Sequence, residues 1–317
     1  RQYAIIRLEA NKAVKAIENI KKRAYEEKDP QLKNLASQAL NNLDQTDRME
    51  INPNLTYGLV KSRIVEDRIK AAHLISNSKE DVYLPHLLLL LRDIEPQVRF
   101  AAMIAAAKTE KPETWPILIE YLSSYTFCNV AAAALITFGE KVLPTLEAAF
   151  YKTGQVATIQ EKIVQIYGRI QGETVIELLW NKIDFPDKKI VNNVLLCLSN
   201  CGFRPSGERV TRIKQAIEAE IGNSAWNIAA LTEIPEDLES SDLLKKALEE
   251  EIAFNFENIY MLLALIYDPQ AIKLVKDNIE SGTVEGVVYA IELLDVFLAD
   301  ELKPIFFPLI EDISQSE

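Results

Sequence analysis

VRFAAMIAAAKTEKPETWPILIEYL, residues 98–122, sets a thin helix beside a thick one. The first half is rich in alanine. Lys111 and Pro112 interrupt it, and a bulky apolar stretch carrying Pro116 follows. Written once, such a unit is a helical hairpin. Written repeatedly at a fixed spacing, it is an architecture.

The unit recurs. EDRIKAAHLISNSKEDVYLPHLLLLLRD covers 66–93, PQVRFAAMIAAAKTEKPETWPILIEYL covers 96–122 and NVAAAALITFGEKVLPTLEAAF covers 129–150. The alanine pairs Ala71-Ala72, Ala101-Ala102 and Ala131-Ala132 fall thirty residues apart. Each is followed by a break and then by a second apolar stretch with a proline near its start: Pro85, Pro116 and Pro144. Proline is tolerated there because the amides of a first helical turn have no intrahelical acceptor. Small side chains let first helices approach closely, while long ones fill the space between pairs. A lone pair cannot bury its apolar face, so pairs must stack. Weaker copies lie at 158–183, 188–202 and, upstream, 29–43.

Beyond residue 200 the period blurs. RPSGE at 204–208 and TEIPEDLESSD at 232–242 signal loops. Ile213, Ile217 and Ile221 carry a helical period between them, and 257–281 reads as helix, Asp-Pro break, helix. Strand signals are absent. The sequence therefore predicts an all-α fold, a right-handed α-solenoid of stacked helical pairs in one continuous array. Residues 1–58 form an N-terminal helical cap with a divergent repeat, 59–203 the regular repeats, and 204–317 divergent repeats with a C-terminal cap.

The charge is uneven. The whole chain carries a formal net charge of -12, yet residues 1–70 are net +4. Acidity on that scale disfavours nucleic-acid binding, which asks for a basic surface. Lys12, Lys15, Lys21, Lys22 and Arg23 mark the basic end. They read either as a solvated helix face or as a contact for an anionic surface such as a membrane. Three cysteines make no disulfide framework, so a reducing, cytoplasmic compartment is expected. The longest apolar runs, 84–91 and 130–138, are too short to span a bilayer. A start at Arg1 is expected of a piece of a longer polypeptide.

Repeats of this length, with an arginine following a valine in the first helix, resemble HEAT repeats. That resemblance implies a ladder between an aspartate of the inter-repeat turn and the arginine of the next first helix, positions matched by Asp93 and Arg99. Lys70 stands in for the arginine one repeat earlier, and Asn129 and Val130 break the pattern one repeat later. The last unit, 284–312, is similar to the end of the HEAT region attached to bacterial ATP/ADP-translocase-like transporters. Ala290, Ile291, Glu292, Leu293, Leu294 and Asp295 carry that similarity, followed by Leu302, Lys303, Pro304, Pro308 and Leu309. The resemblance implies the soluble, cytoplasmic region of an inner-membrane, nucleotide-transporter-like protein.

Residues that could carry chemistry are few. His73 and His86 read as helical residues rather than ligands or bases. Cys197 and Cys201 are four apart, but no second pair supplies the other ligands zinc needs, so they read as small core residues. Glu249, Glu250 and Glu251, like Glu292 and Asp295, read as solvated faces. Trp115, Trp180 and Trp226 read as inter-repeat core or as anchors for a partner. No nucleophile-elbow, phosphate-loop or dinucleotide motif occurs. The expectation is a non-catalytic scaffold that binds a protein partner and takes no cofactor, metal or nucleic acid. The alternatives are a HEAT-like bilin lyase and a HEAT-like DNA glycosylase.

Overall fold

The computed structural model describes residues 53–234 and 241–316. Lys12, Lys15, Lys21, Lys22 and Arg23 lie outside the described residues, as does the repeat-like stretch 29–43. The described residues form fifteen α-helices and no strand, and no described helix is long and apolar enough to cross a membrane. They divide between Ile170 and Gln171 into two compact units.

In the first unit the helices are α1 (Pro53–Val60), α2 (Val65–Ser76), α3 (Leu84–Leu91), α4 (Pro96–Thr109), α5 (Trp115–Glu120), α6 (Cys128–Thr137), α7 (Leu143–Phe150) and α8 (Ala157–Ile170). The thin-then-thick module is visible three times. α2, α4 and α6 each lead through a short 3-10 turn, at Asp81–Tyr83, Pro112–Thr114 and Gly139–Val142, into α3, α5 and α7. Pro85, Pro116 and Pro144 sit in the first turns of those second helices, as the missing amide hydrogen allows. α4 stops where Glu110 turns left-handed at φ 52°, its amide donating to the Ala106 carbonyl oxygen at 3.1 Å.

First helices pack on first helices: α2 on α4, α4 on α6, and α6 on α8. Ala71, Ala72, Ala101, Ala102 and Ala131 are all buried at these contacts, while Ala132 is only half-buried. Leu87, Leu91, Leu118 and Leu146 of the second helices complete the core.

The second unit is built differently. Its helices are α9 (Glu173–Trp180), α10 (Lys188–Asn200), α11 (Glu208–Glu233), α12 (Ser241–Ile266), α13 (Pro269–Ile279), α14 (Val284–Phe297) and α15 (Lys303–Ser316). α11 and α12 each run 26 residues, about 39 Å, and pack along one another. Residues 241–256, given no helix in the sequence reading, are the first half of α12. Side-chain caps start several of these helices. Asp187 accepts from the amides of Lys189 and Ile190, Asp268 from Gln270 and Thr283 from Gly286. At Gly286 a side chain has no room: an added Cβ would lie 2.6 Å from the Asn278 carbonyl oxygen and 2.8 Å from Thr283 Oγ1.

Candidate functional site

The first two first helices of the repeated module, α2 and α4, are entered through the same turn. Arg68 donates from Nη1 to the Ser62 carbonyl oxygen at 2.9 Å, and Arg99 donates from Nη1 to the Asp93 carbonyl oxygen at 2.8 Å. The side-chain oxygens of Ser62 and Asp93 accept from the backbone amides two residues on, at 3.1 and 2.9 Å. Thirty-one residues separate the two copies.

Asp93 and Arg99 therefore do meet, but through the backbone carbonyl. The Asp93 carboxylate is held by Arg68 of the preceding first helix, Nε at 2.7 Å and Nη2 at 3.0 Å. Arg68, and not Lys70, supplies the cation of that repeat. Lys70 is exposed and lies 3.9 Å from Asp67. The physical reason is geometric. An arginine reaching back six residues to its own turn leaves its other guanidinium edge facing the next turn, where a two-pronged carboxylate fits it.

One repeat later the rung is missing. Arg99 faces the turn at Ser124, the position equivalent to Asp93, and its guanidinium lies over the Phe127 ring, 4.6 Å from the centroid. Its Nε is buried without a hydrogen-bond partner. On the turns inside the pairs, charges bridge successive modules: Lys111 pairs with Asp81, and Lys141 with Glu110 at 2.9 Å.

In the second unit a polar seam runs through a core the sequence left apolar. It consists of Lys188 and Asn192 on α10, Glu220, Ser224 and Asn227 on α11, and Glu251, Asn255 and Asn258 on α12. Each set has helical spacing, so each is one stripe on its helix. Lys188 Nζ donates to the Glu251 carboxylate and to Asn255 Oδ1, the latter at 3.0 Å. Asn192 donates to Asn258 Oδ1 at 3.0 Å. Asn255 and Asn258 are fully buried, and no hydrogen bond of ordinary geometry reaches their amide nitrogens or Glu220 Oε2, although the Asn258 amide lies close enough to the Glu220 carboxylate to favour its charged form. Burial pushes the Glu220 carboxyl above its ordinary value. The Lys188 ammonium works against that rise and the Glu251 carboxylate adds to it. Glu251 closes the seam at its solvent edge: its side chain is paired with Lys188 and remains part exposed to water.

The other residues singled out by sequence sit as follows. His86 lies edge-on to the Tyr57 ring at 5.6 Å, with a buried Nδ1 that has no partner. His73 is half-buried on α2. Cys197 is buried, and burial raises the thiol pKa of Cys201 beside it. Trp115 packs on Phe138, and Trp180 on Phe203, with Arg209 and Arg212 over the Trp180 ring. Trp226 alone of the three is exposed, at 71%. Among the described residues no group of histidine, cysteine, aspartate and glutamate could hold a metal ion.

No family model matches the chain and no curated protein is similar to it in sequence, so the resemblance to HEAT repeats and to transporter-attached helical regions stands on its residues alone.

Proposed function

We propose that the chain is a non-catalytic scaffold, a right-handed α-solenoid of HEAT-like helical pairs that works by binding other proteins. The observation that carries this reading is the recurrence of one module with one set of ties. A first helix leads through a 3-10 turn to a proline-started second helix, and successive first helices pack on one another. Stacked modules of this kind offer long continuous surfaces to partners. Trp226, on the face of α11 away from Ile213, Ile217 and Ile221, supplies an aromatic of the type that anchors interfaces.

The similarity at Ala290–Asp295 and Leu302–Leu309 supports a home for this scaffold on the cytoplasmic side of a nucleotide-transporter-like membrane protein. There the cations Lys12, Lys15, Lys21, Lys22 and Arg23 would sit against anionic headgroups.

The test combines scattering with crosslinking. A photo-crosslinking residue at position 226, in cells making this chain, should capture one discrete protein, and the purified chain should scatter as an elongated particle. A compact particle that yields no crosslink and turns over a small molecule would overturn the proposal.

A further inference from the structure

Three turns lead into α2, α4 and α6, and one ladder position recurs in them every thirty-one residues: Ser62, Asp93 and Ser124. Six residues beyond the first two stands the arginine that binds the turn's carbonyl, Arg68 and then Arg99. Each arginine faces the ladder position of the next turn. Arg68 meets a carboxylate there, Asp93, and grips it at 2.7 and 3.0 Å. Arg99 meets a hydroxyl, and its Nε is buried without a partner.

Arg99 is held near Ser124 from both sides of that residue. Its guanidinium lies over the ring of Phe127, whose amide donates to Ser124 Oγ at 3.4 Å. On the other side the Ser124 amide donates to the Tyr121 carbonyl oxygen at 3.1 Å. Burial raises the pKa of the Tyr121 hydroxyl, and the nearby Arg99 charge works against that rise. The Ser62 hydroxyl donates to the Asp67 carboxylate at 2.8 Å, whereas the Ser124 hydroxyl has no acceptor among the described residues. Of the surrounding carboxylates, Asp93 is held by Arg68, Glu120 by Arg92 at 3.3 Å, and Glu95 stands beside Arg68. None of them pairs with Arg99.

We propose that Ser124 is a phosphorylation site and that Arg99 reads the phosphate, which completes the missing rung. A serine kinase supplies the group from a nucleoside triphosphate. The hydroxyl oxygen bonds to the γ-phosphorus, the bond from that phosphorus to the β-phosphate oxygen breaks, and the nucleoside diphosphate leaves. The hydroxyl proton passes to the kinase's base. The product carries nearly two negative charges and three acceptor oxygens, for the same Nε–Nη2 edge that Arg68 offers to Asp93. The turn is open to an enzyme: Ser123, Tyr125 and Thr126 are exposed around a half-buried Ser124. Position selects among them. The Ser123 hydroxyl donates to the Glu120 carbonyl oxygen at 3.0 Å, and neither Tyr125 nor Thr126 stands at the ladder position. With the rung made, α4 is tied to the turn that starts α6, as α2 is tied to the turn that starts α4. The proposal goes beyond the scaffold reading and rests on the ladder alone.

The experiment has two arms. Mass spectrometry of the full chain, isolated from the cells that make it, should find phosphate on Ser124. An unmodified Ser124, or phosphate only on Ser123, Tyr125 or Thr126, overturns the site. In the second arm phosphoserine is placed at position 124 of the full chain during translation, and its phosphorus-31 resonance is titrated. An unpaired phosphoserine takes its second proton near about pH 6; paired with Arg99 it should do so about one unit lower. Arg99→Gln should return the titration to its ordinary place, and phosphoserine at position 123 should titrate ordinarily with or without Arg99. Circular dichroism of each variant checks folding. A phosphate at 124 whose titration ignores Arg99→Gln overturns the reading by Arg99. An elongated scattering profile together with any of these failures leaves the scaffold reading standing and sinks only the phosphorylated rung.

Discussion

The two units solve one problem, burying amphipathic helices, in opposite ways. The first uses small residues and local ties. Alanines face alanines across α2, α4 and α6, proline starts the second helices, and an arginine holds the turn of its own module and the carboxylate of the next. The second uses length and polarity, with two 26-residue helices, side-chain caps and a buried polar seam whose partners lie far apart in sequence. A module whose contacts reach one repeat ahead can be copied. A seam that joins α10, α11 and α12 is particular to its place.

The sharpest way to break the contrast is to enlarge the thin helices. Ala102 is fully buried between packed first helices, so Ala102→Leu should cost about 3 kcal/mol by forcing them apart. Denaturant melts check this, and a neutral result would mean that the alanine seam does not set the helix spacing. Next, Arg68→Ala should cost about 2 kcal/mol, because it strands the mostly buried Asp93 carboxylate and frees the Ser62 carbonyl. Arg99→Ala should cost less, having no carboxylate partner. The reverse order would contradict the pairing described above.

A smaller effect should have the opposite sign. Ser124→Asp puts a carboxylate at the position equivalent to Asp93, opposite the unpartnered Arg99 Nε, and should stabilise by about 0.5–1 kcal/mol. High salt should reduce the gain.

The smallest change at any one pH concerns the seam. The Glu220 carboxyl is held above its ordinary value by burial, so its contribution to stability is greatest at low pH, when it is protonated. That contribution is lost as pH rises through the value it has in the folded state. Glu220→Gln should remove this loss. The variant should gain on the native chain as pH rises from below about 4.5 towards neutrality, measured by melts across that range. A constant difference would mean that Glu220 is not desolvated in solution.

What could be read in the sequence was local. Pro85, Pro116 and Pro144 mark helix starts through backbone chemistry alone, and the alanine pairs mark close approach through size alone. The ladder was half legible. Asp93 and Arg99 share one turn and are near in sequence, but the carboxylate's real partner, Arg68, stands twenty-five residues back. There the turn has Ser62 in place of aspartate, which hid the equivalence of the two arginines. The seam was not legible. Lys188, Asn192, Glu220, Glu251, Asn255 and Asn258 are spaced as on solvated helix faces, and only the approach of three helices buries Asn255 and Asn258 and brings the others to the edge of the same seam. The start of α12 was missed for a related reason: KKALEEE reads as surface, whether or not a helix continues beneath it.

The ion pair between Lys188 and Glu251 also bears on the order in which the chain is made. Sixty-three residues separate its partners. At roughly 5–20 residues per second, the ribosome delivers the glutamate about 3–13 s after the lysine. The modules of the first unit can close while the second unit is still being made, each waiting only for the next thirty residues. Throughout that interval α10 must keep a lysine and an asparagine in water on the face it will later bury. A nascent chain arrested before Glu251 would therefore present Lys188 and Asn192 to water on the α10 face that α12 later covers.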